Sequence, residues 1–391
     1  MSEKSLKPGW KLVKFGDVVK IANLIERDLE KSGIDRIVGM EHLDPENLHI
    51  RRWNTPEDGT SFTRKFVPRQ TLFGKRRTYQ RKVAYAEFEG ICSGDILTFE
   101  PKDKKVLLAE LLSFICQTDA FFDHALGTSA GSLSPRTSWK ALKDFKFSLP
   151  PLKKQKRIAE ILWAADEAVE TRKKLITSLN ETRIGLGNSV WDKAHNVKRE
   201  NLCKLCIKIQ DGTHFSPQST KGPRRYMTSR NIRDGYLDLQ ECGWISAEEH
   251  QNIYHRVDVK YGDVVITKDG ANTGNAAFFD LDEEVSLLSS VAFIRTNPQK
   301  LNAKFLLSFL RSPRGNWEIV REMKGTAITR ITLNQIRDFR VPYIPIEQQN
   351  AYAIKFDVIE TSIKNAVIEL SQLQKTKTAL INYLLDGCIH V

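Results

Sequence analysis

The chain has little that would mark an enzyme, a membrane protein or a secreted miniprotein. No apolar run reaches about 18 residues, the length a spanning helix needs, so no membrane segment is expected. Residues 1–10 hold Lys4 and Lys7 but no apolar stretch, which argues against a signal peptide and for a cytoplasmic chain. Six cysteines lie scattered, and only Cys203 and Cys206 have metal-like spacing. No second pair follows at zinc-finger distance, so reduced core thiols and no metal site are expected. A phosphate-cradling loop would end in Gly-Lys-Ser/Thr. The nearest stretch, Gly270-Ala-Asn-Thr-Gly274, runs on into Asn275-Ala276 without the lysine. Neither Pro150-Pro151 nor Val341-Pro342-Tyr343 has the Asn/Asp-Pro-Pro-aromatic form that holds a flipped adenine. Glu57-Asp58 and Glu283-Glu284 stand apart from any lysine-carboxylate cluster of a two-metal nuclease, and no HExxH occurs. These absences together favour a binding protein with no catalytic residue over an enzyme.

What the chain has is positive charge. Its 391 residues carry 60 Lys and Arg against 48 Asp and Glu, a net charge of +12. That balance favours a polyanionic partner, nucleic acid being the commonest. Hydrophobic residues make up 41% and charged residues 28%, so the chain is globular, and its length allows two or three domains.

An internal repeat organises it. Shifted by 194 residues, positions 131–192 match 325–386 without gaps. Identical pairs include Arg136/Arg330, Asp144/Asp338, Phe145/Phe339, Pro151/Pro345, Gln155/Gln349 and Leu186/Leu380. Each copy ends in a helix opened by a proline. Apolar residues step three and four apart through Ile158, Ile161, Ala165, Ala168, Leu175, Leu179 and Leu186. In the second copy they run Tyr352, Phe356, Ile359, Ile363, Ala366, Leu370, Leu373, Leu380 and Leu384, with Lys377 the weak point. Such a stripe reads as a coiled coil, and each helix is the obvious partner of the other. Lys173, Lys174 and Glu360 fall off the seam and are expected in solvent.

Two segments of about 150 residues remain, rich in short strand signals split by Gly, Asp and Asn turns. Gly94-Asp95 and Gly262-Asp263 each open a strand, and 107–122 and 302–311 are helical in pattern. Away from the Gly-Asp strands the segments share little, so the expectation is like rods and unlike α+β globules. Between positions 61 and 82 lie eight basic residues and no acid, interleaved by Phe62, Phe66, Phe73 and Tyr79. Lys75, Arg76, Arg77, Arg81 and Lys82 of this set are candidate phosphate and guanine contacts. The second segment offers a thinner set, Thr213, His214, Ser229, Arg230, Asn231, Lys268 and Asn272. His214 lacks a Ser or Cys partner and reads as a contact residue, not a catalytic one.

At this point the chain resembles the specificity subunits of type I restriction–modification systems. In the first segment the resembling stretches are Met40-Glu-His-Leu-Asp44, Leu72-Phe-Gly-Lys-Arg-Arg77, Gly90-Ile-Cys-Ser-Gly-Asp-Ile96 and Gly131-Ser-Leu-Ser-Pro-Arg136. In the second they are Asp211-Gly-Thr-His-Phe-Ser-Pro217, Thr228-Ser-Arg-Asn-Ile-Arg-Asp-Gly235 and Gly262-Asp-Val-Val-Ile-Thr267. Pro151-Leu-Lys-Lys-Gln155 and Pro345-Ile-Glu-Gln-Gln349 open the helices, Lys153 and Lys154 departing from the usual form. The resemblance adds Ser134, Arg136 and Arg330 to the candidate DNA contacts. It implies target-recognition domains at 1–150 and 194–344, separated by spacer helices at 151–193 and 345–391. The helices would pack as an antiparallel coiled coil with a pseudo-twofold repeat. Each domain would read half of an asymmetric, split site in double-stranded DNA. Two methyltransferase (modification) subunits, carrying S-adenosylmethionine, and restriction subunits, using ATP and Mg, would be the partners, with no cofactor in this chain. The competing readings are a DNA-modifying enzyme with unrecognised motifs and an architectural coiled-coil protein without sequence preference.

Overall fold

The computed structural model describes residues 6–131, 134–191, 198–323 and 329–387. The chain divides into two compact units. The first comprises residues 1–173 and 369–391, the second 174–368. This division differs from the linear one expected from sequence, because each unit takes part of both long helices. Those helices are Leu152–Trp191 and Ile346–Leu385, 40 residues each. No helix among the described residues is long and apolar enough to cross a membrane.

In the first unit a four-stranded antiparallel sheet has the order Val19–Ile21, Ile96–Pro101, Thr71–Gly74, Val83–Tyr85. A second sheet runs Leu24–Ile25, Arg64–Phe66, Gly90–Cys92, Ile37–Val38, its last pair parallel. The second unit repeats the frame. Its four strands are Cys206–Asp211, Val291–Thr296, Val264–Thr267 and Ala276–Phe278, in the same antiparallel order. Its smaller sheet joins Arg224–Met227 and Val285–Leu287 in parallel, with Gly243–Ile245 antiparallel outside. The globules are therefore alike in topology, contrary to the expectation from sequence. The two Gly-Asp strands are not counterparts either. Gly94-Asp95 precedes an inner strand whose equivalent is Val291–Thr296, whereas Gly262-Asp263 precedes the equivalent of Thr71–Gly74. The expected helix over 107–122 is two, Ala109–Ile115 and Asp119–Gly127. Thr118 caps the second by accepting from the Phe121 N–H at 3.2 Å.

Each unit takes residues of both long helices into its core. In the first unit Ile158, Leu162 and Ile381 join a cluster with Phe73, Phe99, Phe121 and Phe122. In the second, Val190, Trp191 and Phe356 join Phe305 and Phe309, the Trp191 and Phe356 rings stacking 6.1 Å apart. Where globule and helix meet, charge is built into the packing. Lys377 lies on the seam, only 6% exposed, its Nζ 2.5 Å from Asp166. The repeat places Arg183 and Glu360 at the matching positions, paired at 3.3 Å. Glu360 also meets Arg311 at 2.7 Å, so it is not the solvated residue its place off the seam suggested. Lys173 likewise pairs with Glu170 at 2.8 Å. Leu175, expected in the seam, is 40% exposed.

Among the described cysteines all are free thiols. Burial pushes Cys92 and Cys206 up to about 12, and Cys203 is exposed rather than in the core. No group of His, Cys, Asp and Glu among the described residues could hold a metal.

Candidate nucleic-acid interface

In the first unit the basic cluster begins where strand Thr71–Gly74 ends. The Lys75 N–H donates to the Asp95 carbonyl at 2.9 Å, and its own carbonyl accepts from Thr137 at 3.0 Å. The loop is thereby clamped between the 93–95 turn and the 134–137 segment. The Arg76 Nε donates to Ser134 Oγ at 2.9 Å, and Arg136 reaches Asp95 at 3.3 Å. The backbone N–H of Arg77 donates to Pro135 at 2.8 Å. A surface cleft here is lined by Met40, Glu41, Arg76, Arg77, Gln80, Lys82 and Asp95. Burial, with Arg64 nearby, holds the Lys75 ammonium below the usual lysine range; burial does the same to Lys82.

The second unit builds the same clamp with other residues. Lys268 donates its N–H to Ser290 at 2.7 Å and accepts from Ile331 at 2.9 Å, as Lys75 does with Asp95 and Thr137. Arg330 meets Asp269 at 3.0 Å, in the place of Arg136. A short 3-10 turn stands beside each clamp, Met40–His42 in one unit and Ser229–Asn231 in the other. In the first turn His42 Nδ1 accepts from the Gly39 N–H at 2.8 Å. In the second, Asn231 Oδ1 accepts from Thr228 at 2.9 Å. Ser229 is tied across by its N–H to Ser290 Oγ at 3.2 Å, and Thr213 by its N–H to Leu287 at 2.8 Å.

This arrangement has relatives. Residues 7–181 match the family described as type I restriction modification DNA specificity domain. The specificity subunit of the type I restriction enzyme MjaVIII from Methanocaldococcus jannaschii is 23% identical, covering 98% of this chain and 93% of that one. The EcoDI specificity subunit of Escherichia coli is 28% identical, over 42% of this chain and 37% of its own length. The type I S subunit from M. genitalium shares the fold at a TM-score of 0.60 and 12% identity, covering 100% of this chain and 98% of that one. Residues 7–181 thus carry the type I restriction modification DNA specificity domain, and the chain as a whole is similar to type I specificity subunits. A specificity subunit is the DNA-recognition component of its system and not the catalytic chain.

The expected site residues fall into one cluster per unit and differ in exposure. Lys75 is half-buried, whereas Arg76, Arg77 and Arg136 are exposed, with Ser134 beside them. In the second unit Arg230 and Arg330 are exposed, Ser229 and Asn272 half-buried, and the His214 side chain stands 72% exposed, 3.5 Å from Asp211. Five other candidates are committed internally. The Arg81 guanidinium is held by Glu46 at 2.9 Å, Asp119 at 2.8 Å and the Gln117 carbonyl at 3.0 Å, over the Phe122 ring. Lys82 Nζ donates to the Met40 carbonyl at 2.7 Å. Lys268 is buried, with Nζ 2.5 Å from the equally buried Asp211. Asn231 is buried and binds backbone at both ends of its amide, and Thr213 is buried. The side chains of these five are buried or partnered within the fold. Sequence reasoning passed over Asp95 and Asp269, which aim the arginines. Their signal was position: each pairs with the arginine at the same place in its own copy of the repeat, Arg136 or Arg330.

Proposed function

We propose that this chain is a specificity subunit and that each unit reads one short half of a split, asymmetric double-stranded DNA site. The observation that carries this is the duplicated clamp. One backbone frame presents Arg76, Arg77 and Arg136 in one unit and Arg230, Arg330, His214 and Asn272 in the other. Equal frames with unequal side chains suit two readers of unequal sequences. The two long helices would form an antiparallel coiled coil relating the units by a pseudo-twofold, and so set the spacing between half-sites. Two modification subunits bearing S-adenosylmethionine would dock on the outer helix faces, and restriction subunits bringing ATP and Mg would join them.

Mapping the methylated positions produced by the chain with its modification partners tests this reading. A split, non-palindromic site is the expected result; a contiguous or palindromic one overturns it. Arg76→Ala and Arg136→Ala should each lower the salt dependence of DNA binding by about one unit of log–log slope, the signature of a lost phosphate contact.

A further inference from the structure

The turn after the first clamp is strained, and its counterpart is not. Arg77 and Arg81 bracket the 3-10 turn Thr78–Gln80 with φ of 52° and 53°. That left-handed region costs an arginine, which bears a Cβ, on the order of 1 kcal/mol or more per residue. In the second unit the same two places are Gly270 and Gly274, with φ of 107° and 93°. Glycine adopts this conformation freely. The shared frame therefore demands a left-handed residue twice, and the first unit meets the demand with side chains glycine would spare it.

The two arginines differ in use. Arg81 has its carboxylate partners and the Phe122 ring, as described, and acts as the anchor of the turn. The Arg77 side chain makes no hydrogen bond or ion pair among the described residues and projects into the cleft with Gln80. Thr78 is buried at 1% exposure, while the neighbouring Tyr79 is 54% exposed. Phe66 and Phe73, which flank the basic stretch, are fully buried. Among the described residues of this loop, the exposed aromatic thus lies two positions from the arginine that has no side-chain partner, on a turn pinned from behind.

Resting on the DNA-reading function above, we infer that Arg77 and Tyr79 are the specificity-determining residues of the first unit. Arg77 supplies the fork that grips guanine O6 and N7 in the major groove, and Tyr79 supplies a ring and hydroxyl to the adjacent base edge. Arg81 is a positioning residue that holds the turn in its strained form. A phosphate clamp would need no such form, because any flexible basic loop neutralises phosphate.

The test uses the full chain in complex with its modification partners, acting on a library of randomised DNA whose methylated products are sequenced. Arg77→Gly removes the fork and restores the residue the other unit uses, so the fold should be as heat-stable as the parent or more so. Arg77→Lys keeps the charge without the fork, and Tyr79→Phe keeps the ring without the hydroxyl. The expected result is a loss of about ten- to a hundredfold in discrimination at one or two base pairs of one half-site. The other half-site should read as before. Unchanged preference at every position in all three variants overturns the inference, and so does a uniform loss across the site with a shallower salt slope, which would make Arg77 a phosphate contact. Either result leaves the split target of the parent complex intact, so the broader DNA-reading function is judged separately.

Discussion

Lys377 is a charge placed on an apolar seam, and its worth depends on what Asp166 would do without it. Asp166 is 2% exposed and lies between Lys377 and His49, whose Nε2 is 2.7 Å away. Removing one partner of a buried pair leaves a charge without solvent, so Lys377→Met should destabilise the chain by about 3 kcal/mol. The matching Arg183→Met should cost less than about 1 kcal/mol, because that pair is partly solvated and Arg311 still covers Glu360. Thermal melts of the two variants make the comparison. The same network gives a pH dependence. Burial alone would lower His49 below its ordinary 6.5, but the hydrogen bond and charge of Asp166, with Glu87, outweigh it and raise it. A raised histidine stabilises fully below 6.5 and loses that contribution as pH climbs through its folded value. Burial likewise opposes the charge of Asp166, yet His49 and Lys377 hold it below its ordinary 3.8. Its contribution is present above 3.8 and fails as pH falls through the folded value. The network is therefore strongest between those limits. Heat stability should drop from about pH 6 to about pH 8 more in the parent than in His49→Gln; equal drops would exclude His49 as the source.

At the scale of elements, the repeat is most exact where a glutamine closes the first turn of each long helix. Gln155 Oε1 accepts from the Leu108 N–H at 3.0 Å, and its Nε2 donates to Val106 at 2.7 Å and Pro150 at 2.9 Å. Gln349 repeats all three, accepting from Asn302 at 2.9 Å and donating to Lys300 at 3.0 Å and Ile344 at 2.8 Å. Both are buried, at 1% and 0% exposure, so leucine at either position would strand backbone groups away from water. Gln155→Leu and Gln349→Leu should each cost about 2 kcal/mol. Lying in different units, they should add in the double variant to within about 0.5 kcal/mol, as read by denaturant unfolding. A marked departure would show that the two junctions are coupled.

On the scale of the whole molecule, the long helices were legible because a stripe three to four residues apart needs only burial to be realised. Their duplication was legible because buttressing residues such as Gln155 and Gln349 make the same backbone bonds with the same side chain. The duplication of the globules was not legible. It rests on backbone bonds, such as those of Lys75 and Lys268, whose side chains go separate ways. Arg77 and Gly270 share a positive φ and no chemistry. The candidate site was half legible for a related reason. Composition shows donors, but it does not show that Glu46 and Asp119 fold onto Arg81, or Asp211 onto Lys268.

The division of the chain also bears on how it is made. The second unit is one continuous stretch, 174–368, whereas the first needs residues from 369 onward to close against 1–173. On a ribosome, the unit encoded later is the one whose parts are all present first. The earlier globule must wait, with Ile158 and Leu162 uncovered, until Lys377 and Ile381 emerge. The order of synthesis and the order of completion are thus reversed, and the stretch from 369 onward decides whether the first globule is finished.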